Sequence, residues 1–201
     1  MRTTRLCSAL SGLGLATVLA ACGGATPGAD GAGGTAAAVA AADISAEHNE
    51  ADVTFAQGMI PHHEQAVDMS DMALAAAEDP AVLALAEEIS AAQGPEIETM
   101  RGMLDAWGAE QPADHGDHAG MDMDGMAGMM SAEDMAALGD AEGPPFDEMW
   151  LTMMVEHHEG AVDMARTQLD EGANPEALAL AEEIISTQEA EIALMQDLLG
   201  G

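Results

Sequence analysis

The chain has no lysine and no tyrosine, and its large aromatic residues are two Phe and two Trp. A core with so few rings must be filled by aliphatic and thioether side chains. The shortage of positive charge excludes more. Four arginines stand against 37 acidic residues, so the surface repels phosphate and nucleic acid is excluded as a partner. Cysteine is limited to Cys7 and Cys22 near the N-terminus, which leaves no disulfide for the folded part. β-branched residues are sparse, and no alternating strand pattern stands out. Ala, Leu, Met, Glu and Gln dominate, and these are good helix formers. The expected class is all-α.

The first residues read as a targeting segment. Arg2 and Arg5 precede a short apolar run, Leu10 to Val18, too short for the roughly 20 residues a bilayer requires. Leu19-Ala20-Ala21-Cys22 resembles a bacterial lipobox. That resemblance implies a lipoprotein signal peptide over 1–21, lipidation of Cys22 and an extracytoplasmic, membrane-anchored location. Residues 22–44 are rich in Gly and Ala and read as a flexible tether. After processing, only Arg101 and Arg166 would remain basic.

What is present is a repetition. Met59-Ile60-Pro61-His62-His63-Glu64-Gln65-Ala66-Val67-Asp68-Met69 recurs 95 residues later as Met154-Val155-Glu156-His157-His158-Glu159-Gly160-Ala161-Val162-Asp163-Met164. Ala84 to Ile89 recurs as Ala179 to Ile184 at the same offset, and Pro80 recurs as Pro175. No gap is needed over about 50 residues. One supersecondary unit has been duplicated.

Punctuation gives four main helices. The first is expected from an N-cap at Ser45 to about Ala77, with Pro61 kinking it or starting a fresh helix. Asp79-Pro80 and Asn174-Pro175 each place an N-cap before a first-turn proline, so the second and fourth helices run to about Ala106 and Leu199. The third spans about Pro145 to Asp170. Two antiparallel hairpins result, repeat 1 over 45–107 and repeat 2 over 145–201. They join through a 108–144 linker that holds a short helix capped by Ser131, and they pack as a four-helix bundle.

Phe55, Met59, His62, Ala66, Met69 and Ala73 lie at alternating spacings of four and three, the seam of a packed helix. Trp150, Met154, His157, Ala161 and Met164 repeat it. His62 and His157 should point into the bundle, with His63 and His158 turned towards the neighbouring helix. The second and fourth helices answer with Gln93, Glu96 and Met100, and with Gln188, Glu191 and Met195. Burying such polar groups without partners would cost several kcal/mol each, so they need the histidines or a cation. Imidazole with thioether favours copper, nitrogen for Cu(II) and sulfur for Cu(I). Another divalent metal is less suited to the sulfurs. A carboxylate-satisfied histidine core is the plain alternative, with Glu96 bonded to His62. Glu64, Glu159, Asp68 and Asp163 are read as a solvated face. In the linker, His115, His118, Met121, Met123, Met126, Met129 and Met130 form a second, softer candidate metal tract.

The doubled M-(I/V)-x-H-H-x-x-A-V-x-M motif resembles the domain-of-unknown-function 305 family over residues 45–201. The resemblance implies a ferritin-like bundle and, from some members, extracytoplasmic copper binding. It carries metal binding onto Met59, His62, His63 and Met69, and onto Met154, His157, His158 and Met164.

The leading expectation is therefore a lipid-anchored copper-binding protein, not an enzyme, that buffers, resists or delivers metal. A homodimer or a metal-transfer protein is the expected partner. A non-catalytic interaction or envelope-stress module competes with it. A ferritin-like redox enzyme is disfavoured, because Glu is never three residues before a motif histidine, as Glu-x-x-His di-iron sites require.

Overall fold

The computed structural model describes residues 44–112 and 127–200. The expectations for the targeting segment, Cys22 and the tether fall outside them, as do those for His115, His118, Met121, Met123 and Met126. Among the described residues there are five helices and no strand: α1 Glu50–Ala76, α2 Pro80–Trp107, α3 Ala132–Asp140, α4 Pro144–Glu171 and α5 Pro175–Gly200. None is long and apolar enough to cross a membrane.

The helix ends follow local chemistry. Asp79 caps α2 through the Ala81 amide, and Pro80 occupies the first turn. Asn174 accepts from the Glu176 and Ala177 amides at the start of α5. Ser131 and Asp134 form a reciprocal capping box on α3, as the linker sequence implied. One start differs from expectation. Helix α1 begins at Glu50, because Asn49 and Asp52 bond each other's backbone amides in a second capping box. Ser45 instead links both hairpins: its amide donates to Glu176 of α5, and its carbonyl accepts from Trp107 at the end of α2 and from Asn174. Pro61 lies inside an uninterrupted α1, so no helix starts there. Pro95 sits inside α2 in the same way.

Helices α1 and α2 form one hairpin and α4 and α5 the other; α1 and α4 make the main contact between them. The apolar core falls into two clusters. Ala66, Met69, Ile89, Trp150, Met154 and Met195 belong to one. Phe55, Met59, Met100, Ala161, Leu180 and Ile184 belong to the other. Every long helix passes from one cluster to the other near its middle, and the residues at each crossing are polar: His62 and His63, Gln93 and Glu96, His157 and His158, Gln188 and Glu191. The bundle is two apolar halves separated by one polar layer.

Two aspartates bind the hairpins to each other. Asp52, fully buried, accepts from the amides of Ala173 and Asn174 in the α4–α5 turn and from Gln168. Its repeat equivalent, Asp147, accepts from the amides of Glu78 and Asp79 in the α1–α2 turn. Burial pushes the Asp52 carboxyl up, but the hydrogen bonds from Asn49, Gln168, Asn174 and Ala173 outweigh it and hold its pKa below the usual value. Asp52→Ala is expected to lower unfolding stability by about 3 kcal/mol, since several buried donors lose a charged acceptor together. Asp147→Ala should cost less, about half as much, because it serves fewer donors. Denaturant unfolding of both variants checks the order.

Candidate metal centre

The two motifs converge. Because α1 and α4 pack on each other, the rings of His62 and His157 meet with centroids 3.9 Å apart and planes inclined by 47°. The His158 ring lies 6.4 Å from that of His157. All four motif histidines are buried. The inner pair points between the hairpins and the outer pair towards α2 and α5, as the seam predicted.

Each outer histidine has a carboxylate. His63 Nε2 donates to Glu96 Oε2 at 2.7 Å, and His158 Nε2 to Glu191 Oε2 at 2.8 Å. The expectation that Glu96 pairs with His62 is corrected: the 100° turn between neighbouring residues on α1 brings His63, not His62, to α2. His62 Nε2 finds a different acceptor, the carbonyl of Ala127, at 3.1 Å. These acceptors place the proton on Nε2 in three rings and leave Nδ1 as a lone pair. Carboxylate-bound imidazoles of this kind are the usual form of a metal-ligating histidine, with the carboxylate fixing tautomer and orientation.

The open nitrogens are the chemical signature of the layer. Nδ1 of His62, His63 and His158, and both nitrogens of His157, are buried and lack a hydrogen-bond partner; so do both amide atoms of Gln93 and Oε1 of Gln188. An unsatisfied buried polar group costs about 1–3 kcal/mol. Nor are the inner imidazoles charged. Burial first, and then the neighbouring imidazoles, lower the His62 pKa to about 3 and that of His157 well below 6.5. Neutral imidazole is the ligand form.

Sulfur lies on both sides of the layer. Met59 and Met100 are fully buried in one apolar cluster, Met154 and Met195 in the other. Each is within about one helical turn of a layer residue on its own helix. Met69 and Met164 are not brought there. They stand seven residues beyond His62 and His157, about 10 Å along the axis. Met69 packs in a core cluster, whereas Met164 is half-buried and lines a cavity of about 420 Å³ with Phe55 and Gln168.

Among the described residues, no three His, Asp or Glu side chains are grouped to hold a metal ion. The soft donors in this part of the bundle are open imidazole nitrogens and thioethers about one helical turn along the same helices, a mixture whose chemistry suits a soft ion. Of the linker candidates, Met129 and Met130 are described, and both are half-buried.

One acid departs from expectation. Glu64 is only 2% exposed, and its Oε1 accepts from Arg101 Nη2 at 2.7 Å, because one of the two basic side chains of the folded region covers it. Glu159, Asp68 and Asp163 are exposed. Sequence reasoning also missed Asp52 and Asp147, although the 95-residue offset pairs them.

If Glu96 and Glu191 orient ligating imidazoles, Glu96→Gln and Glu191→Gln should each weaken metal affinity about 10–100-fold while the helix content stays unchanged. Metal titration followed by circular dichroism checks both halves.

A duplicated helical hairpin closed around a histidine layer defines the class. The chain belongs to the DUF305 family, described as a domain of unknown function, whose model matches residues 52–199. It is 35% identical to a DUF305 protein from Streptomyces coelicolor over 75% of this chain and 92% of that one, with a TM-score of 0.67. A DUF305 fragment from Deinococcus radiodurans gives 32%, 76%, 97% and 0.65 for the same quantities. CopM in its Cu(II)-bound form is 35% identical, over 74% of this chain and 95% of that one, with a TM-score of 0.64. CopM has also been solved with Cu(I) and with silver. No curated protein matches.

Proposed function

We propose that the protein is an extracytoplasmic binding protein for a soft metal ion, copper first, held at the histidine layer. One observation carries the reading: five imidazole nitrogens are buried without partners in four rings from two copies of one motif. His62, His63, His157 and His158 would supply nitrogen, and Met59, Met100, Met154 and Met195, each about one helical turn from a layer residue on its own helix, would supply sulfur. Thioether and imidazole together accept both copper oxidation states. The CopM structures with Cu(I), Cu(II) and silver support the choice of ion.

The location rests on the targeting segment and on the Streptomyces coelicolor relative, described as a candidate secreted protein. A lipid anchor at Cys22 belongs to the same reading. So do buffering or delivery without turnover, and the His/Met-rich linker as a lower-affinity tract.

The His63–Glu96 and His158–Glu191 pairs favour one competitor, a purely structural polar layer in an interaction module. Equilibrium dialysis against Cu(I), Cu(II) and Ag(I), followed by metal analysis, separates the two. We expect the parent protein to retain metal and the protein with all four motif histidines changed to Ala to lose the tightest site. Equal retention by both would end the proposal. Metal at 100 times its Kd should also stabilise the fold by about 2.7 kcal/mol.

A further inference from the structure

The two copies of the motif differ at one position beside their shared Ala-Val. Repeat 1 has Gln65 where repeat 2 has Gly160. Both residues hold the same piece of chain. The Gln65 amide makes a two-point bond to the Met130 backbone, donating to its carbonyl at 2.9 Å and accepting from its amide at 2.7 Å. On α4, Gly160 lies against Ala127 and Gly128, where a side chain would drive into the Ala127 carbonyl. Gly128 itself has φ +78°, and a Cβ there would come within 2.8 Å of the carbonyls of Glu156 and His157. A left-handed glycine packed on a helical glycine permits this backbone approach, which no other residue pair allows.

Ala127 is exposed, whereas His62, whose Nε2 it bonds, is fully buried. Among the described residues, the segment 127–130 is thus the outer cover of the inner histidines on this side. His157, the repeat equivalent of His62, makes no hydrogen bond to this segment, and its one backbone neighbour is His62 on α1.

We propose that Ala127–Met130 is a strap that closes the histidine centre, that a soft metal ion enters and leaves by its release, and that Gly160 and Gln65 are its two anchors. This rests on the metal-binding reading. The copies diverged at this position because the strap needs a gap on one helix and a backbone-bonding amide on the other. Release also frees the His62 Nε2 proton from the Ala127 carbonyl and exposes Met129 and Met130, two thioethers carried by the strap itself. Motions of such loops commonly set exchange rates rather than equilibrium affinity.

The test uses the full chain with Ag(I) as probe, in the parent, Gly160→Ala and Gln65→Ala proteins. Silver release to an excess of chelator is followed by stopped flow, and amide hydrogen exchange is read at Met130. Both variants should release silver at least about tenfold faster, with faster exchange at the Met130 amide and Kd changed much less than the rates. Should Gly160→Ala fail to fold, Gln65→Ala, which only trims a half-buried side chain, decides alone. Silver release at the parent rate from a folded variant whose Met130 amide exchanges faster overturns the strap as a gate. An unaltered Met130 exchange in Gln65→Ala overturns the anchor. A parent protein that binds no silver overturns the metal-binding reading itself, a separate outcome read before any variant is compared.

Discussion

The His157→Leu protein should unfold at a higher temperature than the metal-free parent and lose most of its affinity for silver or copper. The two effects have one cause. His157 sits in the middle of the bundle with neither ring nitrogen in a well-formed hydrogen bond and only a weak contact to the His62 backbone, and burial strongly disfavours its charged form there. Leu has a similar volume and no polar atom, so the substitution removes two orphaned nitrogens and leaves no large cavity. The expected gain is about 1–3 kcal/mol, offset in part by imperfect packing against His62. Loss of a central nitrogen donor should weaken metal binding by at least about 100-fold, since removing even an outer partner costs 10–100-fold. A layer retained for stability predicts the reverse sign: His157→Leu would melt earlier. Differential scanning calorimetry with and without metal reads both effects on one sample.

Acid should unfold the metal-free protein well before its carboxylates titrate. His62 and His157 are held neutral in the fold, with pKa values of about 3 and well below 6.5, whereas in the unfolded chain each takes up a proton near 6.5. The unfolded state therefore binds more protons below pH 6.5, and stability falls as pH falls. Above pH 6.5 both states are neutral at these positions and the contribution is flat. Below 6.5 each histidine removes about 1.4 kcal/mol per pH unit until its folded pKa is reached. Between pH 6.5 and 5 His62 alone should remove about 2 kcal/mol, and His157 adds to the loss in the same direction, a noticeable share of a typical domain's stability. Urea unfolding at pH 7, 6 and 5 measures the slope. The His62→Leu, His157→Leu double variant should lose most of it. An equally steep profile in that variant would assign the acid sensitivity elsewhere.

The duplication made much of this arrangement legible. A gapless 95-residue offset fixed two hairpins, and the four–three spacing through Phe55, Met59, His62 and Ala66 put His62 on the packed face. Asp79-Pro80 and Asn174-Pro175 located two helix starts to the residue. Long-range partners were harder to read. Ser45 and Asn49 are both good caps by composition; only the reciprocal bond with Asp52 decides between them. Nothing local singled out Asp52 and Asp147, because the amides that donate to them lie in the opposite hairpin's turn, at a sequence distance no local pattern reports. Glu64 carried every mark of a solvated face until Arg101 closed over it. The Gln65-to-Gly160 difference was visible in the alignment of the two copies, but its meaning depended on where Gly128 lies. Met69 and Met164 share the motif with the histidines but stand about two helical turns from them along their own helices.

The most direct test is a titration of the ¹⁵N-histidine-labelled protein with Ag(I), read by NMR at the imidazole nitrogens. The first equivalent should move Nδ1 of His62, His63 and His158 and a nitrogen of His157, in step and at one common stoichiometry, with the linker histidines His115 and His118 responding later. Early saturation of His115 and His118 while the four buried rings keep their metal-free shifts would contradict the account.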